Sequence, residues 1–385
     1  MRLLLINFEY PPLGGGGGVA TKQLSEELAK THEVHLITTW FTGLLREEVS
    51  NGVHIHRVRV IGRRSLPTGS LVSLLTFAPA ALLAGFKLCM RQGFDVINAQ
   101  FVVPSGVPAS LLSWWFKIPL IVSFIGGDIY DPSKAISPHR YFILRWLIHW
   151  ISNVATVCTA ISNDTAQRAK QLHGVTKDIV ITPIGLIPSD VTIPARKQLG
   201  LPEHVPLFVS VGRLIPRKGY EYLLAAWKEI HTAHLVIMGS GPLEAKLRAL
   251  MKEYDIEARV HLLGFVSEEK KQQILRSSMA YVSAAEHEGF GIVFLEAMQA
   301  GLPIITPDNG GHTDFLTEGE NALFIPTREA HQLVGAIALV LRDNRLREVM
   351  SQNNQQKVME YYLEQTTARF ETVLHKAQQD YAHRS

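Results

Sequence analysis

The chain has 385 residues, 46% hydrophobic and 19% charged; at about 150 residues per domain this excludes a single small module and a disordered chain, and suggests two or three domains. The net charge of +3 divides unevenly, with 17 Lys and Arg against 12 Asp and Glu in residues 1–195, and 21 against 23 in residues 196–385. So small an excess excludes the basic stripe of a duplex DNA binder and suits a front half near an anionic membrane surface or acceptor.

Residues 3–8, a short apolar run without alternation, read as a buried parallel strand. The run is too short for a secretory signal, lacks an Ala-x-Ala site and is followed by glycines, so a cytoplasmic location is expected. Cys89 and Cys158 make no disulfide framework, which fits a reducing compartment. After glycines 14–18, residues 19–30 repeat apolar side chains at helical spacing. Further strands are expected at 34–38, 53–58, 96–99, 120–124, 154–158 and 179–182, with helices between most of them. Residues 70–86 run 17 positions without a charge, just short of the ~20 that span a bilayer. Pro79 and several small residues fit instead a buried helix of an α/β domain. The stretch 139–150 mixes aromatics with His139, Arg140, Arg145 and His149. A helix packed on the sheet accounts for it; so does contact with the inner face of a membrane, to which Arg57, Arg59, Arg63 and Arg64 would add.

Residues 186–206 hold four prolines and no buried-strand run, and read as a linker. Strands at 207–211, 235–238, 260–262, 280–282 and 304–306 then alternate with helices, and 328–377 reads as helices only. The expected fold class is α/β, two doubly wound sheets whose strand ends face a central cleft. The expected organisation is a first domain at 1–187, a linker at 188–205, a second domain at 206–360, and a last helix at 361–385 packing back on the first domain.

The glycine run offers backbone N–H groups at a helix start, which suits phosphate. It is not a G-x-G-x-x-G fingerprint, and Thr38-Thr39-Trp40 offer no acidic ribose ligand, so a dinucleotide site is disfavoured; a turn that binds nothing is the alternative. In Val-Gly-Arg-Leu-Ile-Pro-Arg-Lys-Gly at 211–219, Arg213 and Lys218 flank a strand-to-helix turn. They would hold a diphosphate, one as a fork and one as a point charge, or else be solvated surface cations. Gly239-Ser240-Gly241-Pro242 is a second tight turn. In Glu288-Gly-Phe-Gly-Ile-Val-Phe-Leu-Glu296, Gly289 and Gly291 free the backbone before a helix whose first N–H groups would face an anion. Glu296 lies between Leu295 and Ala297 on an apolar helix and needs a partner there.

These stretches, with PPLGGGG near the start and LLGFVS at 262–267, resemble family 4 of the retaining glycosyltransferases, which has the GT-B fold, and the matches run to about residue 327. The resemblance implies transfer of a hexose-type sugar from a nucleoside diphosphate sugar to a hydroxyl of a surface polysaccharide or lipid-linked glycan. It implies no cofactor and no metal, in keeping with a sequence that has no Asp-x-Asp; nucleic acid is not an expected partner. By position, Arg213 and Lys218 would hold the diphosphate and stabilise the leaving group. Glu288 would contact the donor sugar and Glu296 the ribose. The backbone of Phe290, Gly291 and Ile292 would contact sugar and phosphate, and Gly15, Gly16, Gly17, Gly239 and Gly241 would allow close approach of the donor.

Three positions depart from the family pattern. Ile125 stands where many members have the histidine of His-Gly-x-Asp. That leaves Asp128 to contact a sugar hydroxyl or the acceptor, or to cap a turn. Asn98-Ala99-Gln100 replaces a His-x-His, and Ile184 replaces an asparagine before Gly185. A double displacement needs a carboxylate beside the anomeric carbon, for which Asp128 is the first-domain candidate; the resemblance favours a front-face reaction. A sugar-nucleotide epimerase on the same fold and a non-catalytic nucleotide-sugar sensor are the rival functions.

Overall fold

The computed structural model describes residues 1–66, 69–133 and 136–383. The chain divides into two compact units, Met1–Gly185 with Leu363–Ser385, and Leu186–Tyr362.

The first unit opens with β1 (Arg2–Ile6), α1 (Gly16–Leu28), β2 (Glu33–Thr39), β3 (Glu47–Ser50), β4 (Val53–Val58) and α2 (Leu71–Arg91). It continues through β5 (Val96–Gln100), α3 (Val102–Phe116), β6 (Leu120–Phe124), α4 (Phe142–Val154), β7 (Val157–Ala160), α5 (Asn163–His173) and β8 (Ile179–Ile181). The sheet order is β3-β4-β2-β1-β5-β6-β7-β8, parallel except for the edge strand β3. Leu4, Ile6, Ile97, Leu120 and Val122 face one core with Phe77 of α2, Leu112 of α3 and Ile148 of α4. Leu3, Leu5, Val34 and Val96 face the opposite core, because neighbouring strand residues point to opposite faces.

Three expectations are corrected here. The strand expected at 154–158 begins at Val157, because α4 runs on to Val154. The helix expected to be buried is not: only 28% of its apolar window is covered, with Ser73, Phe77, Ala81 and Gly85 inward. Arg57 is also withdrawn from any surface cluster, since it is buried and bonded to Glu48 and to the Leu45 carbonyl.

The second unit starts with residues that were expected to form a linker. They pack against their own domain: Leu199 and Leu201 are buried, and Arg196 donates to the carbonyls of Ser277 and Val205. The unit then runs β9 (Leu207–Val211), α6 (Tyr220–Trp227), β10 (His234–Met238), α7 (Glu244–Glu253), β11 (Val260–Gly264), α8 (Glu268–Arg276) and β12 (Ala280–Val282). It ends with α9 (Ile292–Gln299), β13 (Ile304–Pro307), β14 (Ala322–Ile325), α10 (Ala330–Arg342) and α11 (Asn344–Val358). Its sheet is wholly parallel, in the order β11-β10-β9-β12-β13-β14. The chain returns to the first unit with α12 (Leu363–Ala382), which seats Phe370, Val373 and Leu374 in the core shared with α1. In the second sheet the order reverses between β9 and β12, the switch point beyond whose strand ends an open α/β sheet takes ligands.

Candidate active site

The turns after β9, β10 and β12 are knitted into one surface. Gly212 donates to the Met238 carbonyl at 2.9 Å, Leu214 to Ser240 at 3.0 Å, and Leu243 back to Leu214 at 3.1 Å. Gly239 lies at φ +146°, and a Cβ there would stand 1.9 Å from the Gly212 carbonyl oxygen. Gly219, at φ +65°, would bring a Cβ within 2.0 Å of the Ala284 carbonyl. Only glycine closes these turns. Gly241 is pressed against the Leu214 backbone in the same way.

Glu288 is buried where the turns meet. Lys218 bonds its Oε1, and Arg217 reaches its Oε2 at 3.3 Å while donating to the His287 carbonyl at 2.8 Å. The two cations hold the carboxyl down at about 2 despite its burial. The Glu288 carbonyl accepts from Gly311 at 2.7 Å, which ties the loop to the turn after β13. Arg213 is exposed, and among the described residues its side chain has no partner. Thus Arg213 and Lys218, expected as equals, differ in state: one is free and the other is held by an internal carboxylate.

Gly291, in the left-handed region at φ +84°, starts α9, and Ile292 is its first residue. Phe290 is buried against Phe315 and Tyr361, so its ring is a structural anchor that fixes the loop backbone. Four residues into α9, Glu296 is buried with Oε1 2.8 Å from Lys271 Nζ of α8. Its Oε2 has no hydrogen-bond partner among the described residues. Burial raises its pKa against the pull of Lys271. Lys271 also pairs with Glu268 at 2.6 Å.

Gly15 and Gly16 at the start of α1 face open space, whereas a Cβ on Gly17 would stand 2.3 Å from the Phe101 ring. Asp128 is buried and holds two backbone donors, Val102 at 2.7 Å and Ile125 at 2.9 Å. It therefore ties the loop after β6 to the start of α3.

The positions that depart from the expected pattern meet in space. Gln100, Ile125 and Ile184 line one cavity of about 40 Å³ in the first unit, with Ser123, Thr182 and Thr366. Gln100 donates to Asn98 at 2.7 Å, Asn98 to Ser123 at 2.9 Å, and Thr159 to Ser123 at 2.9 Å. An amide and hydroxyl ladder thus lies beside this cavity. Sequence reading missed Arg217, Lys271 and this ladder. The spacing of Arg217 beside Lys218 offered a signal; Lys271, one of several cations on a charged helix, offered none.

Residues 15–185 match the family described as glycosyl transferase 4-like domain, and 192–357 match glycosyl transferases group 1. An uncharacterized glycosyltransferase of Methanocaldococcus jannaschii is 28% identical over 380 residues, 94% of each chain. The N-acetyl-alpha-D-glucosaminyl L-malate synthase of Bacillus anthracis is 25% identical over 390 residues, 96% of each chain. Among solved structures, sucrose-phosphate synthase of Thermosynechococcus elongatus superposes with a TM-score of 0.82 at 21% identity, over 98% of each chain. Anabaena HepE in complex with UDP-glucose superposes with a TM-score of 0.73 at 17% identity, over 97% of this chain and 100% of that one. At such identities the superpositions speak to the fold alone.

Proposed function

The chain belongs to the group 1, family 4 glycosyltransferases with the GT-B fold, and on that premise we propose that it moves a hexose-type sugar from a nucleoside diphosphate donor to a hydroxyl acceptor. The proposed transfer retains anomeric configuration and uses no metal. The acceptor is a surface polysaccharide or lipid-linked glycan, met at the inner face of a membrane. The observation that carries the reading is the cluster after β9 and β12: free Arg213, Lys218 and Arg217 on Glu288, and the α9 N-terminus beside them in the chain. Solved HepE complexes hold UDP and UDP-glucose, which supports a nucleotide-sugar donor here.

In the proposed mechanism the donor diphosphate takes Arg213 and draws Lys218 from Glu288. Glu288, held ionised, then accepts hydrogen bonds from sugar hydroxyls. The ribose hydroxyls donate to Glu296, whose second oxygen is unbonded. As the glycosidic bond breaks, charge grows on the leaving phosphate, and fixed cations and amides stabilise that charge more than they do the ground state. The leaving phosphate assists removal of the acceptor proton on the same face. Asp128 serves as a positioning residue for the loop that carries Ile125. A thermal-shift panel of nucleoside diphosphate sugars tests the donor class: a ligand at 100 times its Kd adds ~2.7 kcal/mol. No shift from any member overturns the reading. Product analysis then separates transfer from epimerisation and from binding without turnover.

A further inference from the structure

Three neighbouring helices of the first unit turn apolar side chains outward. On α2 the inward positions are small or polar apart from Phe77, while Leu75, Leu83 and Met90 are 67%, 66% and 66% exposed. On α3, Trp114 and Trp115 are 73% and 62% exposed. On α4, Phe142, Ile143 and Trp146 are 78%, 75% and 56% exposed. The helices pack side by side on one face of the sheet. A Cβ on Gly85 of α2 would press on Leu112 of α3, and one on Gly106 of α3 would press on Ile151 of α4. Phe86 of α2 meets Trp115 edge-on at 5.5 Å. The exposed side chains therefore gather on three helices packed side by side, where single scattered apolar residues would need no explanation.

The charge on these helices has one sign. None of the three helices contains an Asp or Glu. Lys87 and Arg91 end α2, Lys117 follows α3, and Arg140 and Arg145 flank the start of α4. Among the described residues, Lys87, Arg91 and Lys117 have no acidic partner.

We propose that this three-helix face docks on an anionic lipid bilayer. Trp114, Trp115 and Trp146 sit at headgroup level, where amphipathic rings are favoured. Phe142, Ile143 and the outer leucines of α2 enter the acyl boundary, and the cations meet lipid phosphates. The inference deepens the membrane-surface reading above and rests on it only for placing the acceptor; donor chemistry does not enter it. A second copy of the chain is disfavoured as occupant, because a two-fold contact would set five cations against five with no acid between. A spanning role for α2 is disfavoured because its inner face is locked into the sheet and α3.

The test is flotation of the full chain with phosphatidylcholine vesicles, with and without about 30% phosphatidylglycerol. A thermal shift with the nucleotide-sugar panel runs in parallel. Binding to the anionic vesicles is expected at about 50 mM salt, with roughly 10-fold weaker binding at about 500 mM as the charges are screened. Trp114→Gln with Trp146→Gln, and separately Phe142→Ser with Ile143→Ser, should each cut the bound fraction roughly 10-fold. Lys87→Glu with Arg91→Glu should abolish the preference for phosphatidylglycerol. All six positions are exposed, so unchanged melting is expected of every variant. Failure of wild type to float on anionic vesicles at low salt overturns the proposal. So does flotation indifferent to both apolar pairs, or a solution dimer that they dissociate in a chain that does not float. Loss of the nucleotide-sugar shift with flotation intact would count against the glycosyltransferase reading alone.

Discussion

Lys271 Nζ stands 2.8 Å from Glu296 Oε1 and leaves the second oxygen of that buried carboxylate without a hydrogen bond among the described residues. The lysine supplies the counter-charge that lets the carboxylate persist on an apolar helix, and the free oxygen supplies an acceptor. Ribose hydroxyls do not change charge in the reaction, so their contribution is nearly uniform between ground and transition states. Glu296→Gln should raise the donor KM ~10-fold, for a lost charge-assisted bond of ~1.5 kcal/mol, and leave kcat nearly unchanged. Lys271→Met should push the Glu296 pKa further up. Donor affinity in that variant should then improve as pH rises through the shifted value. Initial-rate kinetics against pH check both; a loss confined to kcat in Glu296→Gln contradicts the assignment.

Arg213 and Lys218 should part company in stability and agree in rate. Arg213 is exposed and unbonded, so Arg213→Ala should leave the melting temperature unchanged. Lys218→Ala takes one cation from buried Glu288 and should lower it. Both should lower kcat ~100-fold or more, as removal of other preorganised oxyanion donors does. Full kcat in both variants, with normal folding and donor binding, would overturn leaving-group stabilisation by these side chains.

Glu288 sets an acid limb to stability. Its folded pKa of about 2 lies below the ordinary 4.5. The stabilisation is therefore complete above about pH 4.5 and is lost as pH falls towards 2. Urea melts between neutral pH and pH 3 should show that loss in wild type and a flatter profile in Glu288→Gln, which is less stable at neutral pH because two cations lose their carboxylate. Parallel profiles would show that the ion cluster is not the titrating element.

The alternation of short apolar runs with helices revealed both sheets in the sequence, because a parallel sheet covered on both faces needs unalternating strands. It did not reveal β3, whose residues Glu47–Ser50 are mostly polar and lie on an edge. Nor did it reveal β14, four residues long. The glycine turns and the Glu288–Glu296 pair were legible because backbone closure and buried charge restrict residue type. The pairing of Lys218 with Glu288, 70 positions apart, was not, because long-range partners leave no local pattern. The outward face of α2 was misread for a related reason: mean hydropathy cannot say which side of an apolar helix meets the sheet.

Turnover should survive a chelator. Among the described residues no group of three or more His, Cys, Asp or Glu side chains is placed to hold a metal ion. The positive charge facing the diphosphate is assigned instead to Arg213, Lys218, Arg217 and backbone amides. Activity within about two-fold of the untreated enzyme is expected in excess EDTA. Near-complete loss restored by Mg or Mn would reverse the assignment.

Asp128 offers a sharper division between chemistry and support. Its two carboxylate oxygens accept from the amides of Val102 and Ile125 at 2.7 and 2.9 Å. Val102 stands at the head of α3, just before the extended Val103 that interrupts the helix, so its amide has no helical carbonyl to meet. Asp128→Asn exchanges one acceptor for a donor, so one of those buried N–H groups is left unpaired or the loop after β6 must shift. A loss of ~1–3 kcal/mol is expected, and with it a fall in melting temperature of several degrees. The side chains proposed to hold the donor, Arg213, Lys218, Glu288 and Glu296, all belong to the second unit, so the nucleotide-sugar thermal shift should remain. The loop holds Ile125 at the cavity shared with Gln100 and Ile184, so the kinetic cost should fall on the acceptor KM. The opposite pattern, an unchanged melting temperature with kcat lost ~1000-fold or more, would mark Asp128 as a group that touches the reacting atoms.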